Sequence, residues 1–189
     1  MDRRRLFLTL GGAATLPLFG SWATGIYAAT RSHSLEDIHA RWRELLAPGA
    51  RIADNTTRLV RSPEQWQEAL PRDAYDVLFE EDTERPFSSP LNDEKRPGIF
   101  VCRACDLPLF SSEMKYDSGT GWPSFFTAIP DHLDTKKDFK LIWPRTEYHC
   151  IKCGGHQGHV FDDGPQPTGM RWCNNGLALR FIPVADQSK

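Results

Sequence analysis

The chain has 189 residues, 40% of them hydrophobic and 25% charged, with a formal charge of −2. That is the composition of a soluble globular protein, long enough for one domain with its own core. Asp2 and the arginines at 3, 4 and 5 carry +2 and leave −4 to the rest, so there is no basic excess and nucleic-acid binding is excluded.

The amino terminus has the make-up of an export signal. Residues 6–30 carry no charge, and the order Arg4-Arg5-Leu6-Phe7-Leu8 resembles the twin-arginine motif, with Arg3 where Ser or Thr is common. Thr9, Gly11, Gly12, Thr15 and Pro17 dilute the apolar run, and small residues offer cleavage after Ala23 or near Ala28 and Ala29. The alternative is an uncleaved membrane anchor, since about 20 apolar residues span a bilayer. Pro17 and the glycines count against it. The expectation is a signal over residues 1–29 and an exported, periplasmic protein that meets membrane only through that segment, anchored there if the signal is not cleaved.

Residues 30–61 form a helix and a linker. Ser34 and Asp37 make a capping box, and Leu35, Ile38, Trp42, Leu45 and Leu46 recur at helical spacing until Pro48-Gly49. Trp42 is expected in the core, and residues 49–59 on the surface. A second box, Ser62 with Gln65 and Pro63 between them, opens a helix that carries Trp66 and starts the main domain, residues 62–184. Another short helix is expected over 72–80, then a long loop over 83–98. Candidate strands follow at 99–102, 140–143, 147–150, 159–161, 171–174 and 177–182. Helices first and strands later give an α+β fold, mainly β, built on antiparallel pairing.

Two C-x-x-C pairs, Cys102/Cys105 and Cys150/Cys153, can set four thiolates around one tetrahedral ion, for which zinc is the default. Local disulfides are the alternative in an oxidising compartment. Cys173 remains. A lone cysteine is either a buried small hydrophobe or a nucleophile. On a strand, Arg171 and Asn175 share its face, and a guanidinium favours a thiolate. His156 and His159 are core residues, extra metal ligands or acid–base groups; four sulfurs saturate the metal and free them for the last role. Trp122, in the constrained loop Asp117-Ser118-Gly119-Thr120-Gly121-Trp122-Pro123-Ser124-Phe125, either packs in the core or walls a site for a methyl or thioether group.

Taken with Thr83-Glu84-Arg85-Pro86-Phe87, His156-Gln157-Gly158-His159-Val160-Phe161, Asp163-Gly164-Pro165, Pro167-Thr168-Gly169 and Arg171-Trp172-Cys173-Asn174-Asn175, these blocks resemble the B-type methionine-R-sulfoxide reductases from about residue 62 to 183. The resemblance implies two antiparallel sheets with short amino-terminal helices. It makes Cys173 the nucleophile, Trp122 the cradle for the substrate methyl, and His156, His159 and Asn175 the groups that hold or protonate the sulfoxide oxygen. Arg171 would support the thiolate. Cys102, Cys105, Cys150 and Cys153 would hold a structural zinc remote from the substrate. Oxidised proteins or peptides with methionine-R-sulfoxide would be the substrates, and a thioredoxin-like external thiol the reductant.

The chain departs from the family pattern at Trp172 and Gly176, and at Thr120, where many members carry a resolving cysteine. The implied cycle ends in a Cys173 sulfenic acid that an external thiol reduces. Two rival readings remain at this point: a zinc-stapled binding module without catalysis, and another thiol enzyme such as a glutathione-adduct lyase.

Overall fold

The computed structural model describes residues 34–138 and 145–184; the expected export signal and the strand expected at 140–143 lie outside them. Among the described residues no helix is long and apolar enough to cross a membrane.

Helix α1 (Leu35–Arg41) begins at Ser34, whose hydroxyl accepts from Asp37 N–H while Asp37 caps Ser34 in return. The expected helix does not run on to Leu46. It tightens into a 3-10 turn, Trp42–Leu45, which buries Trp42 edge-on to His132 at 5.9 Å. Helix α2 (Pro63–Ala69) has the same reciprocal cap, Ser62 with Gln65. Each cap is worth about 1 kcal/mol. Helix α3 (Arg72–Phe79) buries Ala74, Tyr75, Val77 and Leu78.

Among the described residues nine strands follow: β1 (Gly98–Cys102), β2 (Pro108–Ser111), β3 (Lys115–Tyr116), β4 (Ser124–Phe125), β5 (Leu133–Asp138), β6 (Arg145–Cys150), β7 (His156–Phe161), β8 (Arg171–Asn174) and β9 (Leu179–Pro183). They form two antiparallel sheets, ordered β2-β1-β9 and β3-β4-β8-β7-β6-β5. The fold is mainly β with a few short helices, as expected. Residues 177–182, expected as one strand, divide into a 3-10 turn, Gly176–Ala178, and β9.

The two sheets meet through aromatic rings. Phe110 stacks on Phe125 with centroids 4.0 Å apart and meets Tyr148 edge-on at 6.4 Å, and Phe100 meets Phe125 edge-on at 5.0 Å; within the larger sheet Tyr148 meets Trp172 edge-on at 4.9 Å. Side chains alternate across a strand. Phe125, Trp172 and Tyr148 therefore take the core face of the larger sheet and leave Ser124, Cys173, His159 and Glu147 on the other.

The linker over 49–59 has no regular structure, yet it is tied down at both cysteine turns. Ala53 N–H donates to the Asp106 carbonyl at 2.9 Å and Leu59 N–H to that of Lys152 at 2.7 Å. Lys152 Nζ returns bonds to Asn55 and Thr57.

Candidate active site

Strand register puts the candidate nucleophile in a single line of side chains. Lys136, Glu147, His159, Cys173, Ser124 and Tyr116 are successive cross-strand partners from β5 through β6, β7, β8 and β4 to β3. Directly opposed residues project to the same face, with Cβ atoms about 5 Å apart. A second line, two residues along, holds Asp138, Arg145, Phe161 and Arg171. Close approach of β7 and β8 depends on Gly158, where a Cβ would sit 2.0 Å from the Cys173 carbonyl oxygen.

Cys173 is half-buried, and burial pushes its thiol above the ordinary range. Arg171 pulls the other way, as do the hydroxyls of Thr120 and Ser124, without winning. The guanidinium is shared: Arg171 Nε and Nη2 donate to Asp163 at 2.8 and 2.9 Å, and its plane lies 4.2 Å over Phe161. Arg171 and the two hydroxyls thus favour the thiolate, and burial opposes them. Ser118 Oγ lies 2.8 Å from Thr120 Oγ1 and 2.7 Å from Ser124 Oγ, which fixes both hydroxyls beside the sulfur.

His159 Nε2 donates to Asp138 Oδ2 at 2.9 Å, and Arg145 Nη2 reaches the same oxygen at 2.7 Å. A carboxylate can only accept, so the proton sits on Nε2 and Nδ1 is left for other use. Burial lowers the His159 pKa while Asp138 opposes the drop. His156 is 2% exposed; its Nδ1 is 2.5 Å from Glu147 Oε1, and its Nε2 is buried with no partner among the described residues. Burial brings its pKa down to about 4, so the ring is neutral at pH 7.

Trp122 Nε1–H donates to the Glu84 carbonyl at 3.1 Å, and Glu84 N–H donates to Asn175 Oδ1 at 3.2 Å. The Glu84 carboxylate accepts from the Gly176 and Leu177 amides at 2.6 and 2.8 Å; its pKa is raised by burial, against those two bonds. One residue thus fixes both the indole and the amide.

Cys173, Trp122, His159 and Asn175 come together around one pocket of about 120 Å³, with Thr83, Arg145 and Phe161. His156 and Arg171 do not line it. Arg171 reaches the sulfur from the side, and His156 stands one layer back, its ring 5.5 Å from that of His159. The sequence reading missed Asp138, Arg145, Glu147, Glu84 and Ser118. The partners of Asp138, Arg145, Glu147 and Glu84 lie on other strands and loops; Ser118 bonds within its own loop, to Thr120 and Ser124.

The other four cysteines form a separate cluster. Cys102 Sγ is 3.6 Å from Cys153 Sγ, Cys105 Sγ is 3.5 Å from Cys150 Sγ, and the four sulfurs lie within 4.8 Å of one another. All are free thiols. A tetrahedral zinc with bonds of about 2.3 Å spaces its sulfurs by about 3.8 Å, so the donor set fits. Neighbouring sulfurs, Cys105 first, and burial together push the Cys102 thiol up, and four thiolates at this spacing need a cation. Gln157 spans the two sites: its Nε2 meets Cys102 Sγ at 3.4 Å, and its carbonyl accepts from the Asn175 backbone at 2.8 Å.

The family model described as the SelR domain matches residues 70–183. A peptide methionine sulfoxide reductase MsrB of Bradyrhizobium diazoefficiens is 45% identical over 72% of this chain and 99% of its own length. That of Methanosarcina mazei is 44% identical over 70% and 95%, and the chloroplastic B1 reductase of Oryza sativa is 48% identical over 62% and 56%.

Proposed function

Because this chain belongs to the SelR domain family of MsrB peptide methionine sulfoxide reductases, we propose that it reduces the R epimer of peptide-bound methionine sulfoxide with Cys173 as nucleophile. The observation that carries this reading is the composition of the pocket. The single cysteine outside the four-sulfur cluster opens onto it beside an indole, an imidazole and an amide.

Trp122 offers its ring to the substrate's S-methyl group, a favourable contact. The Cys173 thiolate attacks the sulfoxide sulfur, and the oxygen takes a proton from Nδ1 of protonated His159, whose other nitrogen Asp138 holds. The S–O bond of the substrate breaks as oxygen passes to Cys173. Methionine leaves reduced by two electrons, Cys173 becomes a sulfenic acid, and one proton is consumed. His156 has its Nδ1–H committed to Glu147 and offers only a lone pair at Nε2, so as a neutral ring it accepts and orders a donor.

No second thiol faces Cys173, so an external one closes the cycle. It displaces water from the sulfenic acid to give a mixed disulfide, and a second thiol releases Cys173. A thioredoxin-like protein supplies both in the compartment that the twin-arginine-like signal reaches, where the enzyme repairs oxidised exported proteins. Cys102, Cys105, Cys150 and Cys153 hold zinc, which supplies no redox chemistry and staples two distant turns.

The test is turnover of defined R and S sulfoxide peptides with a dithiol reductant. Wild type should reduce R alone and Cys173→Ser neither. Activity in Cys173→Ser, or preference for S, contradicts the reading.

A further inference from the structure

The pocket beside Cys173 holds about 120 Å³, room for the end of one side chain and not for the polypeptide that carries it. Trp122 also walls a second, larger cleft of about 390 Å³, with Phe87, Asn92, Glu94, Lys115 and Tyr116 among its other walls. The two spaces are continuous in their lining through that one indole.

Phe87 forms the lip of the larger cleft and has no folding rationale. It is 73% exposed, one of two large apolar side chains so displayed among the described residues. It takes the third position of the turn from Arg85 to Ser88, which Ser88 N–H closes on the Arg85 carbonyl at 3.3 Å. Pro86 suits the second position. The third, with φ 62°, calls for Gly or Asn, and a bulky residue is seldom found there.

The conformation is nevertheless held. Phe87 N–H donates to the Gly121 carbonyl at 2.7 Å, and Asn92 Nδ2 donates to the same oxygen at 2.9 Å. Gly121, at φ 93°, has no room for a side chain, since a Cβ would lie 2.8 Å from Pro86 Cβ and 2.9 Å from the Phe87 ring. The turn is thereby clamped to the residue before Trp122, and the Phe87 ring lines the same cleft as the indole. A disfavoured backbone and an exposed aromatic, fixed together at a site entrance, point to binding.

We propose that this cleft docks the polypeptide flanking the methionine sulfoxide, with Phe87 as the anchor for an apolar neighbour of the oxidised residue. The inference rests on the reductase reading of the Cys173 pocket and adds a preference among its substrates. The charges of the cleft are of both signs, Asp93, Glu94 and Asp117 against Lys95 and Lys115, and give no strong selection by charge. The apolar lip does select. Its occupant is an extended segment of an unfolded protein, where core methionines and their apolar neighbours become exposed together.

The full chain is assayed on two R-sulfoxide substrates: a peptide with Leu on both sides of the sulfoxide, and the N-acetylated amide of methionine sulfoxide alone. The ratio of kcat/KM for the peptide to that for the amide should fall about 10-fold in Phe87→Ala, the loss typical of an anchor, through KM. Phe87→Leu should keep most of the ratio. Phe87→Gly should lose it as fully as Phe87→Ala while melting at a higher temperature than wild type, because glycine accepts the left-handed backbone. An unaltered ratio in Phe87→Ala, or a wild-type ratio in Phe87→Gly, overturns the docking role. Wild-type protein inert toward both substrates would overturn the reductase reading, and this inference with it.

Discussion

His159 gives its Nε2–H to Asp138 at the end of β5, across 2.9 Å, while Arg145 holds the same carboxylate oxygen at 2.7 Å. This bond leaves Nδ1 as the one ring nitrogen free to meet the substrate. Asp138→Asn should therefore lower kcat on the order of 10- to 100-fold, the lower part of the range for general acid–base catalysis, with a smaller change in KM. A 15N NMR spectrum of His159 should show the tautomer, fixed in wild type, become mixed in the variant. Equal losses in kcat and KM with an unchanged tautomer would contradict the assignment.

The Cys173 thiol should titrate above the usual thiol range in the free protein, because burial outweighs Arg171 and the two hydroxyls. A raised pKa leaves less thiolate at pH 7 than free cysteine has, so alkylation should accelerate with pH beyond the point where a free thiol levels off. Arg171→Met removes an attraction and should slow alkylation at pH 8, tenfold for each ~1.4 kcal/mol lost. Peptide mapping of the alkylated site reads both effects.

The Thr120 hydroxyl, held by Ser118, is one of the groups that favour the Cys173 thiolate. Thr120→Cys would set a second thiol there, and its cycle should end in an intramolecular disulfide. Non-reducing mass spectrometry after substrate addition should find that bond in the variant and not in wild type.

Elemental analysis should give one zinc per chain, lost in Cys102→Ser. Structural zinc contributes about 10–16 kcal/mol against about 5–15 for a whole domain, so stripping the metal should unfold the protein. A chelated protein that keeps its melting temperature would refute a structural role.

What could be read from the residues alone was local. Ser34 with Asp37, and Ser62 with Gln65, announce helix starts because both halves of a capping box lie within four residues. The two C-x-x-C pairs mark a cluster by spacing, and Cys173 emerged as the cysteine left over. The line from Lys136 through Glu147, His159 and Cys173 to Ser124 could not be read, since it exists only when five strands are in register. Strand β5, Leu-Asp-Thr-Lys-Lys-Asp, escaped notice because an exposed edge strand carries charge instead of apolar alternation. Strand β2 escaped because it is buried at every position and shows no period of two. His156, expected to hold or protonate the sulfoxide oxygen directly or through water, stands behind His159 and does not line the pocket.

The most direct test of the account is a single turnover without reductant, followed by intact-mass and peptide analysis. It predicts one added oxygen on Cys173 and no disulfide within the chain. A disulfide that includes Cys173, or oxygen found on another residue while methionine is formed, would contradict it.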